Sequence, residues 1–362
     1  MLSGLKIVEF EGLGPGPFCG MHLADLGADV NLIARAGGGG GASVFNRGKR
    51  SISLDLKKPA HVCAALKIAA GADAIIEGLR PGVMERLGLG PDAMHAVNPK
   101  LVFGRITGWG QDGPLAPAAG HDINYVGLSG AAWYAGRAGD APVPPPTMVG
   151  DIGGGALYLA IGILAGVMKA RETGKGCVVD AAIVDGSAHM MNLLMALRAS
   201  GGMDDARGKS MLDGPHFYDV YQCSDEKWIS LGPLEPKFYA LLLEKLSLSD
   251  DKAFAAQYDA AHWPERKSRL AALISSKPRA HWDELLEGSD VCYAPVLAPG
   301  ESKDHPHIKA RRIYREVDGV LQTAAAPRFD GAPPADPRPP RPVDADREAI
   351  LHEAGLSAAD LD

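Results

Sequence analysis

Lys6-Ile7-Val8-Glu9-Phe10 runs straight into Glu11-Gly12-Leu13-Gly14-Pro15-Gly16-Pro17, a β-branched strand ending in a glycine- and proline-rich turn. A helical stretch over 17–26 and a second apolar run over 30–33 follow, the start of a βαβ unit. The alternation continues, with strands expected over 51–54, 74–77, 101–106 and 178–181, and helices over 59–70 and 91–97. This predicts an α/β fold: a Rossmann-like large domain whose parallel sheet carries helices on both faces. Past a helical segment over 186–199 the pattern changes to a short strand over 228–231 and polar helices over 238–246 and 280–287, which reads as a smaller α+β domain. The proline-rich run 326–342 reads as an extended strap, closed by a short helix over 346–354. The expected division is a large domain over 1–186, a linker helix and small domain over 187–325, and a strap and helix over 326–362 that return to the large domain.

The glycine turn is not a dinucleotide fingerprint. Counting G-x-G-x-x-G from Gly12 puts Pro17 at the third glycine, and counting from Gly14 puts Cys19 there. The acidic residue expected at the end of the second strand is replaced by Arg35, which suits a ribose phosphate: the 3′-phosphate of coenzyme A or the 2′-phosphate of NADP. Further cations follow at Arg47, Lys49, Arg50, Lys57 and Lys58, either a solvated loop or a phosphate-binding surface. A net charge of −7 argues against general nucleic-acid binding, because the phosphate backbone would be repelled on average. The five cysteines have neither zinc nor C-x-x-C spacing, so no metal is expected and most are read as small buried hydrophobes. Gly37 to Gly41 form an uninterrupted glycine run, read as a flexible loop. The apolar stretch 152–168 imitates a membrane span but is short and ends in charged residues, so a buried core helix is expected. With no signal-peptide pattern before the first strand, a cytoplasmic location is expected.

Two segments carry the chemistry. Gly120-His121-Asp122-Ile123-Asn124-Tyr125 places an imidazole after a Gly/Pro/Ala loop, and Val149-Gly150-Asp151-Ile152-Gly153-Gly154-Gly155 places a carboxylate at the start of a long apolar helix. Two proton-transfer groups beside helix-start N–H groups suit chemistry next to a carbonyl. Asp151 taken alone reads first as a helix N-cap. Most of the 11 histidines read as structural, among them His22, His61, His95, His262, His281, His305, His307 and His352. Met190, Met191, Met195, Met203 and Met211 cluster near the domain junction. Met191 and Met195 read as one core-facing helical face, and the group reads alternatively as a soft surface for acyl chains.

Both segments resemble the active-site motifs of the α-methylacyl-CoA racemases, within the family III CoA-transferase (CaiB/BaiF) superfamily. The resemblance extends in order through Gly27-Ala28-Asp29-Val30, Gly78-Leu79-Arg80-Pro81-Gly82, Thr107-Gly108-Trp109-Gly110, Val179-Asp180-Ala181-Ala182, Gly232-Pro233-Leu234-Glu235-Pro236 and Ala326-Pro327-Arg328-Phe329. It implies an interlocked homodimer, a CoA thioester substrate and no cofactor beyond its CoA moiety. It also implies catalysis by His121 and Asp151 on opposite faces of the α-carbon, with Glu235 of the partner chain orienting the histidine. CoA contacts carried over by position are Arg35, Leu54, Asp55, Leu56, Lys57, Gly78, Leu79, Arg80, Arg86 and 120–125, including Gly120, Asp122 and Tyr125. The helix start at Ile152 and Gly153 is the expected oxyanion site. The implied reaction interconverts (R)- and (S)-2-methylacyl-CoA thioesters through an enolate. The rival is CoA transfer between carboxylates with Asp151 as nucleophile; a non-catalytic CoA-sensing protein and an NADP-dependent reductase are weaker alternatives.

Overall fold

The computed structural model describes residues 1–37 and 43–362, so the glycine run beyond Gly37 lies outside the described residues. The described chain forms two compact units: Met1–Ala132, Pro144–Met191 and Lys309–Asp362 make the larger, and Trp133–Val143 with Asn192–Ile308 the smaller.

The large unit is built on strands β1 (Lys6–Phe10), β2 (Asp29–Arg35), β3 (Arg50–Leu54), β4 (Ala74–Glu77), β5 (Val102–Thr107) and β6 (Cys177–Ala182). They form one sheet in the order β3-β2-β1-β4-β5-β6, and every neighbouring pair is parallel. The α/β expectation holds. The order reverses between β1 and β4, where crossovers leave for opposite faces and open a crevice at the carboxyl ends of the strands. Alternate side chains feed two cores. Ile7, Ile76, Val102 and Ile106 pack with Leu159, Ile163 and Val167 on one face, and Val8, Ile75 and Phe103 pack with Ala65, Ile68 and Ile350 on the other.

Residues 148–173 form one continuous helix, 26 residues long and apolar enough to span a bilayer by length and composition. Its face bearing Leu159, Ala160, Ile163 and Val167 is buried against the sheet, as a core helix requires. Leu157, Ile161 and Met168 on the opposite side stay exposed.

Half of the cationic cluster has other work. Lys49 pairs with Glu9 at 2.6 Å with both side chains buried, and its Nζ also donates to the Pro17 carbonyl. Arg47, also buried, pairs with Asp25 and donates to Gln322 Oε1 and Thr323 O at 2.8 Å each. Arg50 bridges Asp29 and Glu353. A phosphate surface built from the whole cluster is therefore ruled out, because Arg47, Lys49 and Arg50 are held by carboxylates of this chain. The cysteine expectation is also corrected: Cys19 and Cys223 are buried, Cys177 is intermediate, and Cys63 and Cys292 are exposed.

Arg47 explains a further difference. Strands β10 (Tyr314–Val317) and β11 (Val320–Thr323) form an antiparallel hairpin that belongs to the large unit, although 187–325 was assigned to the small domain. Beyond it, the strap covers the sheet's edge. The Ser51 N–H donates to Asp346 Oδ2 and the Ser53 N–H to Asp344 Oδ1, which satisfies donors that edge strand β3 would otherwise leave open.

In the small unit, β7 (Asp219–Gln222), β8 (Trp228–Leu231) and β9 (Tyr293–Val296) form an antiparallel sheet. Pro295 lies on β9, an edge strand, where its missing N–H costs no ladder bond. Phe217, Ile229, Leu242, Trp282 and Leu286 fill the core under the helices Pro236–Lys245, Trp263–Ile274 and Arg279–Leu286.

Candidate active site

The crevice between β1 and β4 holds a cavity of about 520 Å³, lined by residues just beyond four strand ends. Leu13, Gly14 and Pro15 follow β1, Gly78 to Pro81 follow β4, Thr107 to Trp109 close β5, and Ile183 follows β6. Gly120, His121, Asp122, Tyr125, Thr147 and Asp151 complete the wall. Gly120, His121, Asp122 and Tyr125 thus face one space with Asp151, which stands nearly thirty positions further along the chain.

His121 is the N-cap residue of the helix Asp122–Leu128, and its backbone N–H donates to Asn124 Oδ1 at 3.0 Å. Its exposed ring is aimed from a short, pinned turn. Two aromatic groups fix the loop before it. Tyr125 donates its hydroxyl to the Gly120 carbonyl, and Trp109 meets the Tyr125 ring edge-on at 4.7 Å between centroids. A Cβ on Gly108 would fall 1.9 Å from the Tyr125 ring, so that glycine is required for close approach.

Asp151 lies in a π-helical segment, Met148–Ala156, that leads into the helix Leu157–Thr173. The wider π turn sets the carboxylate at the cavity wall. Burial, then the negative charge of Asp122, pushes the Asp151 carboxyl up to about 6, against an opposing effect of His121. A carboxyl that titrates near neutrality can both take and give a proton. The Asp122 side chain accepts the N–H of Asp151 at 2.8 Å and that of Thr147 at 3.1 Å, so it joins the two base-bearing elements.

The oxyanion expectation needs correction. The Ile152 N–H donates to the Thr147 carbonyl at 3.0 Å as part of the π-helical ladder. Gly153 lies in the interior of the same π-helical segment, Met148–Ala156, not at its start. Neither amide is a free helix-start donor. In contrast, Asn124 and Tyr125 make the first intrahelical bonds of the helix Asp122–Leu128, both to His121 O. The amides of Asp122 and Ile123 precede that ladder.

The remaining sequence-named residues fall in adjoining places. Arg35, Leu54, Asp55, Leu56, Lys57 and Leu79 line a second cavity of about 420 Å³ at the carboxyl ends of β2 and β3, and Leu79 is common to both cavities. The Asp55 N–H is taken by His61 Nδ1 at 2.8 Å. Arg80 lines the first cavity, whereas Arg86 lines a separate groove with Lys57, so the two arginines do not share one wall. The loop bearing Arg80 is pinned from below: buried Glu77 accepts the Leu79 N–H and pairs with Arg105 at 2.7 Å, and Arg105 also holds Glu85. Glu235 belongs to the small unit, exposed at the start of the helix Pro236–Lys245. Among the methionines, Met203 is buried and Met211 packs on the small-unit core, while Met190 and Met195 are exposed, so the core-face reading fails for Met195. Among the described residues no three His, Cys, Asp or Glu side chains converge as a metal site. Sequence reasoning missed Leu13, Gly14, Thr147 and Ile183 as wall residues; the position of Gly14 after β1, at the switch point, was the available signal.

Known proteins resemble this chain over its whole length. It is 38% identical over 365 residues to the α-methylacyl-CoA racemase of Mus musculus, covering 100% of this chain and 95% of that protein. The Homo sapiens α-methylacyl-CoA racemase is 37% identical, with 99% and 95% covered. The acetyl-CoA:oxalate CoA-transferase of Acetobacter aceti is more distant, at 29% identity with 97% and 95% covered. Among solved structures, a CaiB/BaiF family protein from Brucella suis superimposes with a TM-score of 0.82 at 27% identity, covering 97% of this chain and 98% of that one. The CoA-transferase family III model matches residues 2–347, and with the strand order and cavity described above, the chain belongs to CoA-transferase family III.

Proposed function

We propose that this chain is an isomerase that interconverts (R)- and (S)-2-methylacyl-CoA thioesters by removing and returning the α-proton. The observation that carries the reading is the meeting of His121 and a half-buried Asp151 on one cavity wall, where Asp151 titrates near 6. Similarity to two racemases at 37–38% identity supports it. The CoA moiety is the substrate's own, and the chemistry asks for no further cofactor. Its nucleotide lies in the cavity with Arg35 and Lys57, its pantetheine passes Leu79, and its thioester reaches the first cavity. One base withdraws the α-proton while the other delivers a proton to the opposite face. The enolate oxygen meets the amide of Asp122, a wall residue of the cavity whose N–H precedes the intrahelical bonds. Both directions use the singly protonated His121–Asp151 pair, in one tautomer or the other, so they share one bell-shaped pH profile. Its acid limb falls as Asp151 takes up a second proton below about pH 6.

The test is incubation of one enantiomer of a 2-methylacyl-CoA in D2O without an acceptor acid. The opposite enantiomer should form carrying α-deuterium, while substrate remaining at early times keeps its protium. Arg35→Ala should raise KM and spare kcat. Absence of exchange until a free carboxylic acid is added, followed by CoA transfer, would replace this reading by the transferase alternative with Asp151 as nucleophile.

The functional particle is a homodimer, with Glu235 supplied by the partner's small unit to orient His121. The uncovered apolar residues Leu157, Ile161 and Met168, spaced four and seven apart on one helix, support a buried partner surface. Light scattering should give twice the chain mass at micromolar concentration; a stable, active monomer would end this part of the proposal.

A further inference from the structure

Asp122 was expected among the CoA contacts, yet its carboxylate is turned inward. Both of its oxygens accept backbone N–H groups from another segment: Oδ1 from Asp151 and Oδ2 from Thr147. The approach is close enough that a Cβ on Gly150 would lie 2.3 Å from Oδ1, so Gly150 leaves room for this contact. Thr147 takes a left-handed conformation, φ 58°, that costs energy for a β-branched residue and is held in place by the Asp122 bond. We propose that Asp122 is a positioning residue, clamping the start of the Asp151 segment to the helix capped by His121 and thereby fixing the distance between the two bases. This rests on the racemase reading, which defines why that distance matters.

The physical reason is economical. Each base sits on its own element, one after a loop and one in a π turn, and no shared backbone sets their separation. Two charge-assisted hydrogen bonds from a single carboxylate do so instead. The carboxylate also places a fixed negative charge beside Asp151, which favours the protonated form needed for one direction. The titratable groups that act on Asp151 are Asp122 and His121; Asp185 and His189 on the adjoining helix Ile183–Met190, and His22 and Asp25 on the helix Pro15–Asp25, are not among those that shift it.

The test uses Asp122→Asn, with Asp122→Glu for comparison, in the full-length protein. Asparagine keeps one acceptor, loses the second and removes the charge. Racemisation kcat should fall roughly 10- to 100-fold, as expected for misplacement of reacting groups by about an ångström. KM for the acyl-CoA should stay within about twofold, and the acid limb of the pH profile should move to lower pH in both directions. A KM that rises with kcat unchanged would make Asp122 a CoA contact and overturn the proposal, as would an unmoved pH profile. Carbon-13 titration of the Asp151 carboxyl reads the same coupling without substrate. A lower midpoint in Asp122→Asn supports the clamp even if wild-type protein shows no exchange, which would count against the racemase reading alone. An identical midpoint in both proteins sinks the clamp.

Discussion

Asp151→Asn is expected to remove α-proton exchange and, at the same time, to make the protein more stable at neutral pH. The first effect follows from the loss of one of two groups that handle the proton. General acid–base participation is typically worth ~10²–10⁴ in rate, and with no second group on that face the loss should reach about 10³ or more. The second effect follows from linkage. The folded-state carboxyl is pushed up to about 6 from 3.8 by burial and by Asp122. Between those values the native state binds more protons than the unfolded chain, so stability is lost as pH rises through about 6. Above that, the native protein carries the penalty of a charged, crowded carboxylate. Unscreened, a displacement of that size corresponds to roughly 3 kcal/mol; because Asp151 is half-exposed, the expectation is about 1 kcal/mol. Asparagine abolishes the penalty and keeps the Asp151 backbone bond to Asp122. Urea unfolding at pH 8 and at pH 4 should show a gain at the first and little difference at the second. A variant less stable than wild type at pH 8 would mean that the Asp151 carboxylate is stabilising and not strained.

Lys49→Met should have the largest effect on stability. Glu9 is fully buried, its Oε2 is held by Lys49, and its Oε1 is without a hydrogen-bond partner. Burial already raises its pKa despite the neighbouring ammonium. Removing one partner of such a pair leaves an uncompensated charge in the core, a loss of ~3–5 kcal/mol. The variant should recover part of that loss as pH is lowered, because a carboxyl with a raised folded-state pKa takes up its proton before the unfolded chain does, so native stability falls as pH rises. Adding Glu9→Gln to Lys49→Met should also restore stability. A single variant within about 1 kcal/mol of wild type would show that Glu9 is hydrated or neutral in the native protein.

The large-unit sheet was legible because its strands are short apolar runs separated by helices with proline at the first turn, as at Pro59 and Pro91. Recognition of the His121 and Asp151 motifs rested on local sequence and is matched by their common cavity. What was not legible depended on contacts remote in the chain. Arg47 and Lys49 looked like phosphate ligands until Asp25, Gln322 and Glu9 were seen beside them. Ile152 reads as a free helix-start donor when the helix is begun at Asp151; the helical segment begins at Met148, so the Ile152 N–H already donates to the Thr147 carbonyl. The hairpin was available and overlooked: Asp318-Gly319 between β10 and β11, both at positive φ, is the strongest short signal for a two-residue turn.

The strap's hold on β3 has a consequence for biosynthesis. Synthesis runs from the amino end, so Ser51 and Ser53 leave the ribosome long before Asp344 and Asp346 exist. For most of translation the nascent chain therefore displays an open strand that can template pairing with a neighbour. Once residues 344–346 arrive they take up the Ser51 and Ser53 donors, so this segment acts as an internal guard against pairing with a neighbouring chain.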